Sequence, residues 1–197
     1  NIIIKELLLQ DPENNYIDKE ITVCGWIETM RIQKQNGIGF ISLNDGSCVK
    51  GIQIVLDGGN GLKEIYDKGT KGVSLRVKGI LVESPAQGQN VELRANLIEI
   101  LGGVNAAEYP IAKKKLPLEH LRKYPHLRVR TKLFPAVMRI RNSCTMATHH
   151  YFQLNGFKYI HTPIITGNDC EGAGETFKFG KVFFGEDVSL TVSGQLH

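Results

Sequence analysis

Residues 49–84 read VKGIQIVLDGGNGLKEIYDKGTKGVSLRVKGILVES. Two β-type runs, 49–57 and 73–84, flank a segment of different character. Residues 60–69 predict one short helix, closed by Gly69, since a helix ends readily on glycine. Upstream, ITVCGWIETM (21–30) predicts a strand. IGFISLND (38–45) alternates, with Phe40 facing opposite to Ile41, and DGSC (45–48) predicts a turn. Downstream, the Gly-bearing turn PAQGQN (85–90) leads into VELRANLIEIL (91–101). Five strands therefore carry one short helix between the third and the fourth.

That order is the order of an oligonucleotide-binding (OB) barrel. It also suits a generic small barrel with no ligand. A stretch with three prolines and a basic run follows, and it reads as a hinge. Its Lys113-Lys114-Lys115 run is either a solvated loop or a contact for RNA phosphates. The period then changes. Pro135 stands where a first helical turn tolerates it. Val137, Ile140, Cys144, Ala147, Tyr151 and Leu154 recur at helical spacing up to the stop at Asn155-Gly156. This apolar stripe suits internal packing or an interface. FKYIHTP (157–163) predicts a strand, kept extended at Thr162 by Pro163. KVFF (181–184) and SLTVS (189–193) predict further strands. One helix and a few strands make only part of a sheet-based core.

Composition excludes several classes. Of 197 residues, 24 are Lys or Arg and 20 Asp or Glu, for a net charge of +4. That permits an RNA partner without requiring one. No run approaches the roughly 18–20 apolar residues of a membrane span, so no membrane partner is expected. No signal-peptide pattern opens the chain. The start at Asn1, without Met, suggests that N-terminal sequence is missing. The four cysteines, Cys24, Cys48, Cys144 and Cys170, form no CxxC pair. Reduced thiols are expected, and no zinc or other metal site.

TPIITGNDCEGAGETF (162–177) sets three acids, Asp169, Glu171 and Glu175, among small residues. A plain turn needs one Gly or Asn. A calcium loop needs oxygen ligands at fixed alternate positions, which this spacing lacks. A mobile lid over a small polar substrate remains.

Several segments, in order, resemble the class II aminoacyl-tRNA synthetases of the aspartate, asparagine and lysine group. FPAVMRIRNSCTMATHHYFQLNGFKYIHTP (134–163) looks like motif 1 of that class. NDGSCVKGIQIV (44–55), HTPIITGNDCEGAGETF (161–177) and LTVSGQLH (190–197) are similar to its asparagine branch. The resemblance implies an α+β multidomain chain. A five-stranded OB barrel at 1–103 would bind the anticodon, and 104–126 would be a hinge. Residues 127–197 would be part of a class II catalytic domain, an antiparallel sheet with the motif 1 helix.

It further implies ATP-dependent ligation of asparagine to its tRNA through an adenylate, with ATP and Mg²⁺ as cofactors. Arg31, Phe40 and Gln53 match the family's anticodon readers. An aromatic on an OB strand offers a base a stacking face, although on the residues alone Phe40 reads as core. Glu171, in the loop closing over the amino acid, and Ser193 and Gln195, on the strand meeting its ammonium, match the substrate site. Pro163 matches the motif 1 proline of a two-fold interface. The implied partners are tRNA(Asn), asparagine and a second copy of the chain, in the cytoplasm or alternatively an organelle. Motifs 2 and 3 are absent from this stretch, which alone is expected to be inactive. The aspartate branch carries a Lys three positions after the residue matching Gln195, one position beyond His197. The rival readings are that branch and a non-catalytic tRNA-binding module. An asparagine synthetase related to the class II domain would lack the barrel at 20–102.

Overall fold

The computed structural model describes residues 1–10, 14–33, 37–57, 62–86, 88–111, 116–172, 176–181 and 185–196. The Lys113–Lys115 run, the loop tip at 173–175 and most of the predicted 181–184 strand lie outside them. By their contacts, the residues form two compact units, Asn1–Arg141 and Asn142–His197.

In the first unit a helix α1 (Ile4–Leu9) precedes five strands: β1 (Glu20–Gln33), β2 (Ile38–Asn44), β3 (Ile52–Asp57), β4 (Ser74–Glu83) and β5 (Val91–Gly102). A helix α2 (Leu62–Lys68) joins β3 to β4, as the 49–84 stretch predicts. The strands close into a barrel in the order β1-β2-β3-β5-β4. Among the described residues, only β3 and β5 pair in parallel. Alternation makes the core, because successive side chains of a strand point to opposite faces. Val23, Ile41, Leu43, Ile54, Leu56, Val77 and Leu93 are all completely buried. The helix α1, which the sequence reading did not predict, adds Ile4 and Leu7 to the same core. Its first amides are satisfied from the 45–48 turn: Ile4 N donates to Asp45 Oδ2 at 2.8 Å and Lys5 N to Ser47 Oγ at 3.0 Å. A further helix α3 (Leu118–Arg122) lies within the stretch read as a hinge. It buries Leu121, which gives that segment an anchor the sequence did not reveal.

The helix α4 (Leu133–Leu154) takes in the predicted 135–153 helix. The break between the two units falls within it. It ends in a Schellman motif, in which Gly156 N donates to Gln153 O at 3.1 Å and Phe157 N to Phe152 O at 3.0 Å. Gly156 supplies the left-handed φ of 84° that the motif requires. No residue of α4 is buried among the described residues.

Residues 157–163 are not a strand. Their composition suits one, but no described segment offers them a ladder. Pairing begins two residues later, in β6 (Ile165–Thr166), followed by β7 (Lys178–Gly180) and β8 (Val188–Leu190). These form an antiparallel sheet in the order β6-β8-β7. The predicted 189–193 strand stops at Leu190, because Thr191 turns the chain. Its hydroxyl donates to Ser193 O at 2.6 Å and accepts from Ser193 N at 3.3 Å. Among the described residues, no helix is long and apolar enough to cross a membrane.

Candidate nucleic-acid interface and amino-acid site

Barrel register decides which side chains share a face. Arg31 on β1 lies opposite Phe40 on β2. Phe40 lies opposite Val55, and Ser42 opposite Gln53, on β3. The neighbours Ile41 and Ile54 are completely buried, so Arg31, Phe40 and Gln53 stand together on the outer face. Phe40 is half-buried and outside the core, which resolves the two readings left open by alternation alone. Arg31 is exposed. Directly opposed side chains have Cβ atoms about 5 Å apart, so a base stacked on Phe40 would lie within reach of the Arg31 guanidinium.

Gln53 is held in place. Its Nε2 donates to Glu92 Oε2 at 3.2 Å across the parallel β3–β5 pair. The same oxygen accepts from Ser84 Oγ at 3.0 Å and from Gln89 Nε2 at 3.3 Å. Glu92 is only 5% exposed. The network commits the Gln53 amide nitrogen to Glu92 and leaves Oε1 and a second N–H for a base edge. Sequence reasoning missed Glu92, Ser84 and Gln89. Their signal depends on the parallel register of β3 with β5, which no local pattern encodes.

In the second unit, the 168–172 loop and the 191–195 turn are tied together. Gln195 Nε2 donates to Cys170 O at 2.8 Å, and Cys170 Sγ lies 3.6 Å from Ser193 O. With its nitrogen engaged, Gln195 keeps Oε1 as an acceptor, the group an ammonium needs. Ser193 Oγ accepts from Gln195 N at 3.2 Å, so part of its capacity shapes the turn. Gly194 is required here: a Cβ would lie 2.7 Å from Thr162 Oγ1 and 2.8 Å from Thr162 Cγ2. Of the loop acids, Asp169 is used structurally. Its Oδ1 accepts from the amides of Glu171 and Gly172, both at 3.1 Å. The Glu171 residue is exposed. Pro163 lies exposed in the unpaired 157–163 stretch.

A closed five-stranded barrel with an aromatic, a guanidinium and an anchored amide on its outer face has the form of a nucleic-acid-binding domain. Residues 21–101 match the family model described as an OB-fold nucleic acid binding domain. Residues 117–197 match the model of class II tRNA synthetases (D, K and N). It is 44% identical to the asparagine--tRNA ligase of Borreliella burgdorferi, over 98% of this chain and 45% of that protein. It is 46% identical to an asparaginyl-tRNA synthetase of Mus musculus, over 90% of this chain and 38% of that one. The chain thus spans about half the length of these relatives or less. Its fold is that of the crystal structure of asparaginyl-tRNA synthetase from Pyrococcus horikoshii complexed with asparaginyl-adenylate. The TM-score is 0.81 at 24% identity, over 99% of this chain and 43% of that one.

Proposed function

We propose that the protein ligates asparagine to tRNA(Asn) through an asparaginyl-adenylate, and that residues 1–197 supply anticodon recognition and part of the amino-acid site. The observation that carries this reading is the 44% identity to an asparagine--tRNA ligase over 98% of the chain. The geometry supports it. The outer face of β1, β2 and β3 offers stacking on Phe40, charge from Arg31 and an oriented amide on Gln53, the combination that reads unpaired bases. In the second unit Gln195 Oε1 accepts from the substrate ammonium, and Glu171 adds a carboxylate for a charge-assisted bond. The 167–172 segment stands beside Gln195, where it can help to enclose the amino acid and exclude water.

ATP and Mg²⁺ enter this reading as the family's cofactors. Among the described residues no group of three or more His, Cys, Asp and Glu side chains could hold a metal ion. The exposed stripe of α4 and the 157–163 stretch form a two-fold interface with a second copy. Exchange of labelled pyrophosphate into ATP by the full-length protein tests the reaction. Exchange should depend on asparagine and not on aspartate. Aspartate dependence would assign the chain to the aspartate branch, and no exchange with either would remove the catalytic reading.

A further inference from the structure

Beside the reading face, Trp26, Glu28 and Ser42 help to line a cavity of about 790 Å³. Ser42 stands two residues from Phe40 on β2, hence on the same face. Glu28 is there because of a β-bulge. The β1–β2 register shifts between Ile27 and Thr29, so β1 carries one extra residue, and a bulge re-aims a side chain. Ser42 Oγ donates to Glu28 Oε2 at 3.2 Å, the one hydrogen bond of that carboxylate among the described residues. None of their ion pairs includes it.

A carboxylate beside a surface that binds a polyanion is repelled by phosphate. It becomes favourable only by accepting hydrogen bonds from the ligand. The donors an RNA base offers are its amines and imino groups, and a Glu paired to a base amine is an established mode of readout. Two further features of the same cavity suit a nucleotide. Arg130 and Lys132 line it and can meet a phosphate. Leu121 and other apolar side chains complete a lining able to cover a base plane.

We infer that Glu28 is a specificity-determining residue, which accepts a hydrogen bond from the amine of a base splayed into this cavity beside the one stacked on Phe40. This rests on the anticodon reading proposed above. The base is adenine, cytosine or guanine, each of which carries the exocyclic amine that donates.

The test is a binding titration of the whole chain. The probes are a hairpin RNA carrying the asparagine anticodon loop and variants in which each amino-bearing loop base is replaced by a counterpart without the amine. Loss of the amine at one position should weaken binding to the wild-type protein on the order of ten- to a hundredfold. Glu28→Ala should abolish that ratio at that position alone, and the near-isosteric Glu28→Gln should reduce it while keeping the wild-type melting temperature. If both variants keep the wild-type ratio at every position while Phe40→Ala still weakens binding, the role of Glu28 is overturned and anticodon reading stands. If the wild-type chain binds none of the hairpins, both are overturned.

Discussion

Phe40 sits on β2 between Gly39 and Ile41, both turned inward and buried. Alternation along 38–45 placed Phe40 opposite Ile41, but which of the two faced the core depended on pairing with β3. The register with Val55 settles it, because Ile54 and Leu56 belong to the core. Glu92 was illegible for a related reason. In VELRANLIEIL it looks like an ordinary outward polar residue, and only the parallel crossing of β3 and β5 brings it to Gln53. If Phe40 is a stacking platform outside the core, Phe40→Ala should leave the barrel folded. It should weaken anticodon hairpin binding by about 1–3 kcal/mol, the value of one base–aromatic stack. Unchanged affinity with an intact circular dichroism spectrum would remove the stacking role. The loop acids divide in the same manner. Asp169 and Glu171 are both exposed, but Asp169 spends an oxygen on two backbone amides. A carboxylate near the substrate ammonium attracts asparagine and aspartate alike, but it repels the second carboxylate of aspartate. In the full-length protein Glu171→Gln should raise KM for asparagine and narrow its advantage over aspartate. Steady-state kinetics that leave both substrates unchanged would place Glu171 outside the site.

At the scale of elements, what was legible depended on local period. The five strands, the helix α2 and the helix α4 each carry their pattern within their own residues. The helix α1 does not. Its six residues are too few to show a period, and isolated helices shorter than about 12 residues are marginal in water. It forms because Ile4 and Leu7 complete the barrel core and Asp45 and Ser47 satisfy its first amides. The 157–163 stretch erred in the other direction. Phe, Tyr, Ile and Thr favour strands, but that preference reflects packing against a neighbour, and no described neighbour is present. The β1–β4 ladder gives a test of pairing. Glu20 Oε2 lies 2.7 Å from Lys78 Nζ. The hydrogen bond from Lys78 holds the Glu20 carboxyl below its usual range, against a smaller desolvation effect. A carboxyl lowered in the folded state adds stability above its unfolded pKa, and that stability is lost as pH falls through the folded value. Urea midpoints of wild type and Lys78→Met should therefore differ near neutral pH and converge below the carboxylate range. A difference that stays constant into acid would show that the pair does not couple to folding.

At the scale of the whole molecule, apolar burial is distributed unequally. The hydrophobic cluster lies entirely within Asn1–Arg141. Among the described residues of the second unit, only Val188 and Ser189 are buried. Yet Met146 is 59% exposed, Leu154 73% and Ile160 71%, and Tyr151, Phe152, Phe157 and Tyr159 are exposed as well. Scattered apolar residues on a surface need no explanation, but this many along one helix and the stretch that follows it suit an interaction surface. A two-fold contact would place the same patch on both copies, so each apolar residue of one copy is covered by the patch of the other. A stable interface of standard size buries roughly 800 Å² per partner, and the helix of 22 residues with its following stretch is long enough to supply that. The full-length protein should therefore sediment as a dimer at micromolar concentration. Met146→Glu combined with Ile160→Glu buries two carboxylates on each side of such a contact, and the pair should give a monomer. Hairpin binding through the barrel should survive in that monomer, because Arg31, Phe40 and Gln53 belong to the other unit. A wild-type protein that stays monomeric across the micromolar range, or a double variant that still dimerises, would show that this surface is not the contact between copies.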